Sequence, residues 1–254
     1  MKSHDVARRL AAALRSAIKG ARTRLILPLL LLISYVLPAS AVPFSTGDYV
    51  TYTQDGWGDA TSTAGHLLAL QLATVYPLGV EVGIPGAAGN SMLFTDEIAI
   101  YQYLPQLNDE GVLTQDLLDP LTSPSGSFGG DVLALKLDVG FADAGLLGTA
   151  PVKFGDLILN DAPFIGVTVR QMLAEANFAL GGGSISPTEF SLLTGEVTNL
   201  AASFNSGDVS VWAEDRLEIP EVSNPVPEPP SIALLGIGIA ALAFGDRRRR
   251  RSRV

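Results

Sequence analysis

Hydrophobic residues are laid out in two ways along this chain: as unbroken runs near both ends, Leu25–Leu37 and Ile232–Phe244, and as periodic patterns in between. Gly47–Thr53 is rich in β-branched and aromatic residues and leads into Asp55-Gly56, which predicts a strand and a turn. Tyr76–Ile84 and Ser91–Phe94 predict two more short strands around Pro85-Gly86, so the first third of the body is expected to be antiparallel β. Helical spacing then takes over. Thr95 is placed to cap a helix whose first turn holds Asp96 and Glu97, where negative charge meets the positive helix end, and Pro105 closes it. Asp119–Gly130, with its Ser, Gly and Pro, predicts a loop. In Asp131–Asp143 two periods overlap: Leu133, Leu135, Leu137 and Val139 alternate as in a strand, whereas Phe128, Val132, Leu135 and Val139 keep helical spacing. Ala134 and Lys136 favour helix there.

The sharpest signals come next. Thr168 with Gln171 forms a capping box that opens a helix carrying Val169, Met172, Leu173, Ala176 and Leu180 on one face, stopped by Gly181-Gly182-Gly183. Ser186-Pro187-Thr188-Glu189 is a second box with proline at the first helical position, and Phe190, Leu193, Val197, Leu200 and Phe204 follow at steps of 3 and 4 before Gly207. Helices over Thr168–Leu180 and Pro187–Phe204, so closely joined, are expected to pack as an antiparallel pair. The fold class predicted is α+β: a short N-terminal antiparallel β portion, then a small helical portion, then a separate C-terminal transmembrane helix.

The two apolar runs have flanks that give them meaning. Residues 1–41 read as a secretory signal, with basic residues up to Arg24, the run Leu25–Leu37, and small residues at Ala39 and Ala41 in the pattern that signal peptidase cuts. The run of 13 residues falls short of the roughly 20 that a spanning helix needs, so cleavage after Ala41 is expected in place of a retained anchor. At the other end, the Pro-rich break Pro225–Pro230 precedes a small and aliphatic stretch. Asp246 and the arginines Arg247, Arg248, Arg249, Arg250 and Arg251 close it. The apolar run alone rises about 20 Å against about 30 Å of hydrocarbon, so a transmembrane helix over 230–246 is marginal in length. Snorkelling arginines close much of that gap and, by the positive-inside rule, form a cytoplasmic stop.

Charge sharpens the division into 1–41, 42–224 and 225–254. Basic residues crowd both ends, and Val42–Asn224 holds 23 acidic residues against only Lys136, Lys153, Arg170 and Arg216, a net of −19. Such a body repels nucleic acid and anionic lipid. The chain has no cysteine, which removes disulfides, thiolate metal sites and cysteine nucleophiles together.

The tail VPEPPSIALLGIGIAALAFGDRRRRR resembles the PEP-CTERM sorting signal of Gram-negative bacteria, over about 30 of the 254 residues. The resemblance implies recognition and processing by an integral-membrane transpeptidase, an exosortase, near Pro227, Glu228 and Pro229. It also implies Ile232–Phe244 as a membrane helix and Arg247–Arg251 as its stop. Pro230 after the motif and Asp246 before the arginines depart from the pattern without breaking its order. From Phe94 to Gly207 the body resembles, on FTDEIAIYQYLP, FGGDVLALKLDVGFADAG and VTVRQMLAEANFALGGG, helical modules of exported bacterial surface proteins with no assigned activity.

Catalytic chemistry has few carriers in the body. His66 is its one histidine, no G-x-S-x-G elbow accompanies it, and Gly181-Gly182-Gly183 follows a helix where a phosphate loop would precede one. The pairs Asp96/Glu97, Asp109/Glu110 and Glu214/Asp215 could supply a glycosidase acid and base, a chemistry that requires carboxylates across a cleft. Asp55-Gly56-Trp57-Gly58-Asp59 is either a calcium-binding loop or a turn with solvated aspartates. The expectation is a non-enzymatic cell-surface or extracellular-matrix protein, of the kind found in biofilm, with no cofactor and no metal. Its expected partners are the secretion machinery, signal peptidase, the exosortase, the membrane and an exopolysaccharide. A secreted module for glycan or another extracellular surface is the alternative, and a carboxylate glycosidase the third.

Overall fold

The computed structural model describes residues 44–220, which fold around one long central helix. In chain order the elements are α1 (Gln54–Gly58), α2 (Thr63–Val75), β1 (Val80–Gly83), β2 (Ser91–Phe94), α3 (Glu97–Tyr103) and β3 (Leu117–Leu118). Then come α4 (Gly126–Asp143), β4 (Ile158–Leu159), α5 (Val169–Leu180), α6 (Pro187–Ala202), α7 (Val211–Arg216) and β5 (Leu217–Glu218). The class is α+β, as expected. β1 and β2 pair antiparallel with Val80 opposite Phe94, β3 joins β2 in parallel, and β4 and β5 form a separate two-stranded ladder.

α4 is the hub because it is apolar nearly all round. Phe128, Val132, Leu133, Ala134, Leu135, Leu137, Val139, Phe141 and Ala142 are all buried, so no single stripe marks its core face. That is why two periods overlapped in the sequence. α5 and α6 pack against it and against each other, burying Val169, Met172, Leu173, Ala176 and Leu180 from one and Leu193, Val197 and Leu200 from the other. Both capping boxes form as expected, Thr168 with Gln171 and Ser186 with Glu189, and Gly181 caps the end of α5. α6 ends at Ala202, earlier than Phe204, which is nonetheless fully buried.

In the first third the antiparallel pair of β1 and β2 is as expected, with Ser91–Phe94 strand throughout, but the strand and turn expected over Gly47–Gly56 are not formed. Gly47–Thr53 makes only isolated bridges, with the Thr51 amide bonding Phe204 O and the Ser206 amide bonding Thr51 O. Its aromatic residues serve the core: Tyr49 and Tyr52 are buried, as is Trp57 of α1, and Phe44, Tyr49 and Phe204 form an aromatic cluster with centroids 5.0–5.6 Å apart. Asp55-Gly56 lies inside α1 and not in a turn. Residues 63–75, which gave no strong signal, form α2, capped by Ser62, and only Val80–Gly83 of the Tyr76–Ile84 segment is strand. Asp96, one residue after Thr95, caps α3 by accepting from the Ala99 amide, while Thr95 bonds Asp119. The loop expected to run to Gly130 ends sooner, because α4 starts at Gly126.

Candidate functional site

An open cleft of about 760 Å³ runs between α4, α5 and β1. Its polar lining is Glu81, Lys136, Asp143, Arg170 and Asn177, and its apolar lining includes Ile84, Pro85, Leu173 and Phe178. Three pieces of local chemistry build it. Asn177 donates from Nδ2 to Leu173 O (2.7 Å) and accepts the Gly83 amide on Oδ1 (2.8 Å), pinning the end of β1 to α5. Tyr76 lies across Gly140, where a Cβ would strike its ring, and donates its hydroxyl to Lys136 O (2.6 Å). Burial, with Asp143 and Asp138 adding to it, pushes the Tyr76 phenol up, so it stays protonated as that bond requires.

Arg170 also lines the cleft. Its guanidinium meets Asp143 in bidentate fashion (2.7 and 2.9 Å) and reaches Asp156 at 3.2 Å, and the Asp143 bonds hold its pKa above the ordinary arginine value. Lys136 lies two helical turns before Asp143 on the same element, about 10 Å away along the axis. It is half-buried and takes part in no ion pair among the described residues. Two of the four cations of a body with net charge −19 thus line one cleft. Phe178 on α5, 44% exposed, adds an aromatic surface to the same lining.

One buried acid escaped the sequence. Asp138 on α4 is fully buried, with Oδ1 accepting the Tyr52 amide (2.9 Å) and Trp57 Nε1 (3.1 Å) and with Oδ2 unpartnered among the described residues. Desolvation drives its pKa well above the carboxylate range, further than those two bonds lower it. Alternation of apolar neighbours in LALKLDVG hid it.

The other candidates are dispersed. His66 is exposed on α2, Asp96 is a helix cap, Asp109 and Glu110 are exposed in a loop, and Glu214 and Asp215 are exposed on α7. Residues 55–58 are helical with Trp57 wholly buried, and Asp59 is the extended C-cap, accepting from Thr61, so the Gly-rich loop pictured for calcium is not formed. Among the described residues no three His, Cys, Asp or Glu side chains converge as a metal site.

The chain leaves the body at the β4–β5 ladder, and beyond it residues 225–250 match the family model of the PEP-CTERM protein-sorting motif. The chain carries a PEP-CTERM sorting signal. It is an exported protein with a C-terminal sorting signal of the kind an exosortase recognises. The match contains Pro227, Glu228, Pro229 and Arg247–Arg250 and stops one residue before Arg251. These residues, the span 230–246 and the cleavage residues Ala39 and Ala41 all lie outside the described residues. No curated protein and no solved structure matches the chain, so the likeness of residues 94–207 to surface-protein modules gains no support. Among the described residues no helix is long and apolar enough to cross a membrane.

Proposed function

We propose that this PEP-CTERM chain is a non-enzymatic protein of the cell envelope or extracellular matrix. It is delivered by cleavage after Ala41, held transiently in the membrane through residues 230–246, and released or transferred by an exosortase acting near Pro227–Pro229. The motif match over 225–250 carries this proposal. The composition of the tail supports it, since prolines supply extended backbone to a processing enzyme and the arginine block supplies a stop. Intact mass of the mature protein from wild-type cells and from cells lacking the exosortase tests it. The wild-type product should lack Ile232–Val254 and the mutant product should keep it. Retention in both would make the tail a permanent anchor.

A second proposal concerns what the body does once outside. Lys136 makes no ion pair among the described residues and lies in a cleft that also offers the Phe178 ring, a pairing suited to a glycan bearing carboxylates. Binding of the mature protein to a panel of acidic and neutral glycans, repeated with Lys136→Met, separates a binding module from a purely structural body. A module should prefer acidic glycans and lose about tenfold in affinity with the substitution, as one charge-assisted contact implies.

A further inference from the structure

The end of the folded body is tied down through Ile219. β5 pairs with β4, Leu159 opposite Leu217 and Ile158 opposite Glu218, and Leu217 is buried. The Asn160 amide donates to Arg216 O (2.9 Å), Asn160 Nδ2 donates to Glu218 Oε1 (2.9 Å), and Arg216 pairs with Asp161. Ile219 packs on the core. Pro227 lies only nine positions beyond Glu218, and Pro230 twelve. Fully extended, those lengths cannot exceed roughly 30 Å and 40 Å. A domain of 177 residues has a radius of gyration of about 16 Å, hence a diameter near 40 Å. The tether is therefore no longer than the body is wide, and the body cannot turn its far side toward the membrane while the tail is inserted.

Resting on the sorting function proposed above, we infer that the surface around the β4–β5 ladder is the docking face for the membrane-embedded processing enzyme. Its stand-off is set by where the ladder clamps the chain. The face is formed by the 160–166 turn, α7 and β5. It carries exposed Ile165 (68%) and Val211 (72%) beside Asp161, Glu214, Asp215 and Glu218, with Arg216 as the single cation, already paired. Such a face is repelled by anionic lipid and is complementary to a basic protein surface, which identifies the partner as protein and gives its sign.

The test follows processing of the full chain in cells by intact mass after a pulse. Deleting Glu221–Asn224 removes about 14 Å of reach and should slow loss of the tail by about tenfold or more, because the clamped body then blocks approach. Replacing the same four residues with Gly-Ser-Gly-Ser should leave the rate unchanged, since length and not sequence matters. Glu214→Lys with Asp215→Lys should slow processing severalfold with an unaltered melting temperature. Asp109→Lys with Glu110→Lys, beside the start of α4, should not. The inference is overturned if the deletion is processed at the wild-type rate, if the Gly-Ser replacement is as slow as the deletion, or if the two charge reversals act alike. Retention of the tail by the wild-type chain in cells that contain the exosortase would instead sink the sorting function itself.

Discussion

Asp138 is the residue at which environment most alters chemistry. Taken from water into the core with one oxygen unpartnered, its carboxyl holds its proton above the usual 3.8. The sign of the consequence follows by linkage. The unfolded chain releases this proton near 3.8 and the folded chain keeps it, so the folded state binds more protons in the window above 3.8. Stability contributed by Asp138 is thus fully present below 3.8 and declines as pH rises toward its folded pKa, by up to about 1.4 kcal/mol per unit. Asp138→Asn keeps an acceptor for the Tyr52 amide and Trp57 Nε1 and should remove that decline. Subtracting urea unfolding curves of the variant from wild type between pH 4 and 8 isolates it from Asp131 and Glu196, whose pKa values burial also raises. Asp138→Leu strands two buried donors and should cost about 2–5 kcal/mol near pH 4, a cost that shrinks as rising pH withdraws the stability Asp138 itself contributes. None of this was legible in sequence, where Asp138 sits in apolar alternation like any solvated strand residue. Burial is a property of the whole packing and leaves no local mark.

Elements were legible where their determinants are local. A capping box is written in four consecutive residues, so α5 and α6 were placed with their starts and their buried stripes. Thr168→Ala and Ser186→Ala should each cost about 1 kcal/mol in chemical denaturation, through amides left without their caps. α2 was missed because its cap, Ser62, bonds the amide of Gly65, a residue with no side chain to complete a box. The start of α4 was missed for a related reason: Gly126, Gly129 and Gly130 read as loop, but tertiary contact demands them. A Cβ at position 130 would meet Gln54, whose amide accepts from the Gln106 amide (2.9 Å) and donates to Asp131 (2.6 Å) and Ser127 O (3.1 Å). Gly130→Ala should therefore destabilise by about 1–3 kcal/mol. Helix propensity alone predicts a gain near 1 kcal/mol. Thermal melts of the variant decide between the two signs. The aromatic run 47–53 misled in the opposite direction, since β-propensity residues that fill a core against helices look the same as those that line a sheet.

At the scale of the whole molecule, charge is sorted by destination. The body holds 23 acids and 4 bases, while Arg247–Arg251 follow the apolar tail and seven basic residues precede the signal run. The function proposed above puts both terminal clusters on the cytoplasmic side, in keeping with the positive-inside rule, and the acidic body on the other. The sorting motif was legible because it is written in consecutive residues, whereas the cleft at Lys136 needed the fold to assemble residues from α2 to α5. The tail's two parts should then fail in different ways. Without Arg247–Val254 the apolar stretch has no stop, so the chain should slip through the membrane and reach the medium with its tail uncut. Glu228→Gln leaves the stop and the span intact but alters the motif between Pro227 and Pro229, so the chain should insert normally and accumulate unprocessed. Fractionation with intact mass separates the outcomes: an uncut soluble product for the deletion and an uncut membrane-bound product for Glu228→Gln. If the deletion instead yields the processed wild-type mass, the arginines are not needed for retention at the enzyme. If Glu228→Gln is cut normally, the glutamate between the two prolines is not part of what the enzyme reads.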